Sequence, residues 1–90
     1  MKIIVLKFGG TSVCTIDRIK KVAKIIASYK KNYRVIVISS AMSGVTNDLI
    51  RKSKKISKNF ESSEYDVLVS SGEQMACSLI AGRLCEIGYK

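Results

Sequence analysis

IIVLKFGGTSV, residues 3–13, decides the fold. Its first four residues are continuously apolar and mostly β-branched, the pattern of a strand covered on both faces as in a parallel sheet. The strand runs through Lys7 and Phe8 into Gly9-Gly10. Paired glycines weaken a strand, so something other than sheet stability favours them here. From Ile16 the apolar residues Ile19, Val22, Ala23, Ile26 and Tyr29 recur at spacings of three and four and predict an amphipathic helix. Thr15 is placed as its N-cap and Asp17 near the positive end of its dipole. A turn signal at Lys31-Asn32 leads to a second short branched run, residues 35–38, ending in Ser39-Ser40. Strand, helix and strand at this spacing predict a right-handed βαβ unit with parallel strands.

Parallel strands end on the same edge of their sheet, which is where open α/β sheets place ligands. GGTS (residues 9–12) and SSAMSGVTN (residues 39–47) are therefore expected to face each other. A second helix is predicted over about residues 46–57, burying Leu49, Ile50 and Ile56 and turning basic toward its C-terminus. A polar connection, residues 59–64, follows. Residues 65–70 suit strand or helix equally by propensity. A helix is then predicted from about Ser71, with Met75, Leu79, Ile80, Leu84 and Ile87 as its buried side. Ser71 and Gln74 have capping-box spacing, and Gly88 is a natural C-cap. The sequence shows no repeat, low-complexity segment or linker.

Ninety residues make one domain at most. A 47% hydrophobic content without proline is that of a globular chain, not a disordered one. The formal charge of +9 favours anionic partners without choosing among them. Most of the lysines fall in helical segments, where the ordinary reading is a solvated face. Cys14, Cys77 and Cys85 have no metal-ligand spacing, and there is no histidine to complete a zinc site. Cys77 and Cys85 on one helix stand about 12 Å apart along its axis, too far for a disulfide. Reduced thiols and a cytoplasmic protein are expected. No apolar run is as long as a membrane span, and the N-terminus does not read as a secretion signal.

Glycine amides aimed outward at a strand end, beside a lysine from the same strand, suit an anion. KFGGTS thus reads as a phosphate cradle, although it lacks the GxxxxGK[ST] pattern and its lysine precedes the glycines. The plainer reading is a turn that needs glycine, with Lys7 on the surface. SSAMSGVTN offers hydroxyls and an amide at a strand-to-helix junction, suited to a polar substrate or simply to helix capping. SSGEQ, residues 70–74, places Glu73 at a predicted helix start.

The three stretches together carry more than each alone. KFGGTSV, VISSAMSGVTNDL and DVLVSSGEQMA resemble the N-terminal signatures of aspartate kinases, members of the amino acid kinase family. They occur in the family's order and cover essentially the whole chain. The resemblance implies a three-layer α/β/α fold of the amino acid kinase (carbamate kinase-like) type. Residues 1–90 would form its N-terminal βαβα part, with a parallel and incomplete sheet. It further implies ATP-dependent phosphorylation of the L-aspartate side-chain carboxylate to 4-phospho-L-aspartate, the first step toward lysine, threonine and methionine. Magnesium is expected with the nucleotide, and no metal-ligating residue is assigned. By the resemblance, Lys7, Phe8, Gly9, Gly10 and Ser12 belong to the ATP and phosphate site, with Lys7 stabilising the transferred group. Ser40 and Thr46 match residues that hold aspartate, and Glu73 matches the acid that engages its amino group.

The family's chains are several-fold longer. The nucleotide-binding half and the regulatory domains are expected to be absent, which implies a truncated or split form inactive alone. Two other readings stay open. The chain can act by association, docking with a separate chain that carries the C-terminal half, forming a homo-oligomer, or modulating a full-length kinase. Or it can be a small basic module for anions or nucleic acid, which the scarcity of aromatics for base stacking disfavours.

Overall fold

β1 (Lys2–Phe8) and β2 (Tyr33–Ser39) pair in parallel, with Lys2 opposite Tyr33 and Phe8 opposite Ser39. The computed structural model describes residues 1–89. α1 (Ile16–Lys30) connects the strands, and α2 (Val45–Ile56) and α3 (Ser62–Glu86) follow. The parallel βαβ unit and the helix after it are those expected from the sequence. Both strands run a residue or more beyond the apolar runs that announced them, because pairing continues for as long as the neighbouring backbone is in reach.

α1 starts as anticipated. The Thr15 hydroxyl accepts from the Arg18 amide at 3.1 Å, and Asp17 lies in the first turn. Its buried stripe is Ile19, Val22, Ala23 and Ile26, whereas Tyr29 at the helix end is exposed and tilts against Tyr33 with ring centroids 6.2 Å apart. Thr15→Ala should cost about 1 kcal/mol by leaving an amide of the first turn uncapped. A urea titration checks this, and an unchanged midpoint would show that the hydroxyl is idle.

The core lies between α1, α3 and one face of the sheet. Val13, Ile19, Val22, Ile26 and Ile80 are buried together, with Leu6, Phe8, Val35, Val37, Met42 and Leu84 packed around them. The strands alternate: Ile4, Leu6 and Phe8 are half-buried, and Ile3, Val5, Ile36 and Ile38 are exposed. The apolar runs alone suggest a cover on both faces, whereas a chain shorter than those of the family it resembles implies unpaired edges and an uncovered face. Among the described residues the helices cover only one, because α1 and α3 lie on the same side and α2 packs on α3.

α3 departs furthest from expectation. Residues 65–70 are helical, and the helix begins at Ser62, not near Ser71. Glu61 is its N-cap: the carboxylate accepts from the Glu64 amide at 2.9 Å and from the Ser63 hydroxyl. The Ser63 hydroxyl, followed by the backbone amides of Glu64 and Ser63, holds the Glu61 carboxyl below its usual pKa. Ser71 and Gln74 therefore form no capping box, and the Ser71 hydroxyl donates back to the Leu68 carbonyl at 2.5 Å.

The buried line of α3 is Gly72, Ala76 and Ile80; Leu84 is partly buried, and Met75, Leu79 and Ile87 remain exposed. Gly88 closes the helix as anticipated, with its amide bonded to the Cys85 carbonyl and the Tyr89 amide to the Leu84 carbonyl, the two bonds of a Schellman end. In α2, Leu49 and Ile50 are half-buried, Ile56 is exposed, and the one buried residue is Ser53, whose hydroxyl donates to the Ile50 carbonyl at 2.7 Å.

Candidate functional site

Both loops after the strands leave the same edge of the sheet. The Ser40 amide donates to the Phe8 carbonyl at 3.0 Å, which extends the pairing to the last residues before each loop. The chain after β1 then folds into two tight turns, with the Ser12 amide on the Gly9 carbonyl at 3.1 Å and the Val13 amide on the Gly10 carbonyl at 3.3 Å. Val13 is thereby driven into the core, where it is fully buried. Among the described residues the amides of Gly10 and Thr11 reach no main-chain carbonyl.

Gly10 is fixed by the second loop. Its carbonyl accepts from the Ser43 amide at 3.2 Å, and a Cβ placed on it would stand 3.0 Å from the Ala41 carbonyl oxygen. Gly72 approaches the same residue from α3, since its Cβ would lie 3.2 Å from the Ala41 Cβ and 3.0 Å from a Val45 methyl. The glycine loop, the serine-rich loop and the SSGEQ segment of α3 thus meet at Ala41, which is buried. Sequence reading singled out neither Ala41 nor Gly72; their only signal is small size, which is legible once a neighbour is known.

Gly9 is different. A Cβ on it meets nothing within 4 Å, and its φ is not positive. Neither packing nor backbone conformation within this chain calls for glycine there.

The start of α2 also separates capping from other roles. Its N-cap is Gly44, at φ 86°, with no side-chain cap. Thr46 and Asn47 stand in the first turn, where helix amides have no intrahelical partner, and the Ser40 and Thr46 hydroxyls make no recorded hydrogen bond among the described residues. The capping explanation of these hydroxyls therefore lapses. An open cleft of about 470 Å³ begins here, lined by Gly44, Asn47, Ile50, Arg51 and Lys54.

The other expected site residues fall as follows. Lys7 is exposed and lies on the uncovered face of the sheet, opposite Ile38 in the register. The Phe8 side chain packs on the core, so this residue offers the site only its main chain. Ser12 is half-buried within the tight turns. Glu73 was expected at a helix start but sits in the interior of α3; it is exposed, and its neighbour Gly72 brings it beside the second loop. Its charge therefore gains nothing from a helix N-terminus. Among the described residues no group of three His, Cys, Asp or Glu could hold a metal ion. No helix of the described residues is long and apolar enough to cross a membrane.

The model of the amino acid kinase family matches residues 2–90. The chain belongs to that family. An aspartokinase of Rickettsia bellii is 51% identical over 90 residues, covering 96% of this chain and 22% of that protein. An aspartokinase of Geobacillus stearothermophilus is 46% identical over 91 residues, covering the whole chain and 22% of its own length. The crystal structure of aspartate kinase from Synechocystis superposes with a TM-score of 0.87 at 40% identity, covering 96% of this chain and 15% of that one. This chain thus spans about a fifth of the length of the curated relatives it matches. Its sequence is aspartokinase-like throughout, and its βαβα arrangement with a parallel sheet is the family's α/β fold in part.

Proposed function

We propose that these residues form the phosphate-facing and aspartate-facing part of an aspartate kinase site. Such a site transfers the γ-phosphoryl group of ATP to the side-chain carboxylate of L-aspartate. The observation that carries the reading is the meeting at Ala41 of the glycine loop, the serine-rich loop and the α3 segment that bears Glu73.

Each group then has a task. A carboxylate oxygen of aspartate attacks the γ-phosphorus, the bond from that phosphorus to the β–γ bridging oxygen breaks, and ADP leaves with the electron pair. Lys7 and the amides of Gly10 and Thr11 neutralise the charge on the phosphoryl oxygens. Gly9 leaves room for a phosphate to approach the backbone, and Phe8 anchors the loop from the core. Ser12 holds the turn that orients the amides. Ser40 and Thr46 position aspartate through hydrogen bonds from their uncharged hydroxyls to its carboxylates, and Glu73 accepts from its amino group. Positioning and charge neutralisation are what phosphoryl transfer requires of a protein. The phosphates of ATP suit the cationic and amide donors here; magnesium would arrive bound to the nucleotide, and no side chain is assigned to it.

The testing experiment is a coupled assay of aspartate-dependent ADP release, with this chain alone and with a polypeptide supplying the remainder of an aspartokinase. Activity in the mixture only is expected, and a mixture as silent as the chain alone would sink the reading. Within an active mixture, Thr46→Val should raise the aspartate KM about tenfold, the loss of one hydrogen bond to a charged group, with the ATP KM little changed. Equal effects on the two constants would make Thr46 structural.

A further inference from the structure

α1 packs against α3, and between them opens a cleft of about 470 Å³ lined by Lys20, Lys21, Lys24, Arg83 and Ile87. All of these but Ile87 are cations. The three lysines are exposed and Arg83 is half-buried. Sites for small molecules usually measure about 300–1,000 Å³, so the cleft has the size of one. Lysines on a solvated helix face stand on a convex surface, whereas here cations of two helices line one hollow.

None of these charges is neutralised among the described residues. The ion pairs found there are both on α2, where Asp48 holds Arg51 at 3.3 Å and Lys52 at 3.2 Å. Asp17, a turn before Lys20 and Lys21, and Glu86, a turn after Arg83, form no ion pair with them. Lys24 follows Lys20 and Lys21 at the helical spacings where like charges repel and weaken a helix. The cleft thus concentrates unpaired positive charge that an anion would relieve.

We infer that this cleft binds a small oligophosphate, inorganic or carried by a nucleotide, at a place separate from the glycine loop. Arg83 supplies the planar fork that matches phosphate oxygens, and the lysines supply point charges along the phosphate chain. Such a chain puts several negative charges in one small ligand, whereas a single carboxylate leaves most of the cations unmatched. A nucleic acid fits less well, because no aromatic residue lines the cleft to stack a base. A bound oligophosphate bridges α1 and α3 and stabilises the folded chain by mass action. No residue of the cleft has a task in the proposed phosphoryl transfer, so the two readings stand or fall separately.

The experiment is calorimetric titration of this chain with tripolyphosphate at a fixed ionic strength of about 0.15 M. Saturable binding is expected. Lys20→Gln/Lys24→Gln should weaken it about tenfold, the loss of two charge-assisted contacts partly screened by water. Lys55→Gln/Lys58→Gln, which removes the same charge at and beyond the end of α2, should not. Circular dichroism of both double variants should match the parent, because every replaced side chain is exposed. ATP in place of tripolyphosphate identifies the source. Equal affinity gives recognition to the phosphate chain alone and tighter ATP binding gives it to a nucleotide, with Lys20→Gln/Lys24→Gln weakening both. Absence of binding, equal losses in the two double variants, or citrate bound as tightly as tripolyphosphate each overturns the inference. So does binding that depends on Lys7 and not on Lys20 and Lys24, which would give the anion to the glycine loop. A single-stranded oligonucleotide that binds more tightly through the same lysines would give the cleft to nucleic acid and overturn it too.

Discussion

Replacing Lys7 by alanine is expected to lower kcat of the complemented kinase about 10²–10³-fold, the usual effect of removing one preorganised group from a developing anion. The lysine is exposed on the uncovered face, so its truncation leaves no cavity and no broken hydrogen bond in the core. The isolated variant should therefore keep its circular dichroism spectrum and its urea midpoint. The aspartate KM should change little, because the role proposed for Lys7 is toward the transferred group and not toward the amino acid. Aspartate-dependent ADP release measured across both substrates separates these effects. Unchanged turnover in a complex that still assembles would remove the phosphate role, and the exposed lysine would then be an ordinary solvated charge.

The first forty residues were legible because each element carries its own period. β1 and β2 are branched runs bounded by glycine or serine, and α1 has a stripe with a side-chain cap at its start. From these alone came the parallel pairing, the common edge and the facing loops, all present in the structure. That one face stays bare among the described residues was legible from the length of the chain against its family and not from the strands, since an apolar run looks the same whether its cover belongs to this chain or another. Lys7, Ser40 and Thr46 were likewise readable as candidates, but that Gly44 relieves the hydroxyls of capping duty required the backbone.

α3 was illegible for a different reason. Its apolar and small residues go round the whole helix, so no period of 3.6 stands out, and the Val67-Leu68-Val69 run has strand propensity that only tertiary packing overrides. Ser71 and Gln74 imitate a capping box inside a helix whose true cap, Glu61, lies ten residues earlier in a polar stretch that reads as a loop. Misplacing the start misplaced Glu73, and with it the argument from the dipole. The acid's neighbourhood is set instead by its predecessor, Gly72.

Gly72→Leu is accordingly the structural substitution with the largest expected effect. A Cβ there already stands 3.0 Å from a Val45 methyl, 3.2 Å from the Ala41 Cβ and 3.5 Å from a Leu49 methyl, so a longer side chain must push α3 off α2 and the second loop. Overpacking of this kind costs about 2–3 kcal/mol, on the order of 10–20 °C in Tm for a domain of this size. Gly82→Ala is the control, since it lies in the same helix with nothing within 4 Å of its Cβ, and it should gain about 0.5–1 kcal/mol from helix propensity. The contrast separates the two roles a glycine can have in one helix. In the complemented kinase Gly72→Leu should also raise the aspartate KM, because displacing α3 carries Glu73 away from the loop that holds Ser40 and Thr46. Thermal unfolding that treats both glycines alike would mean that α3 does not depend on its close approach to Ala41, and the meeting point of the three motifs would lose its structural support.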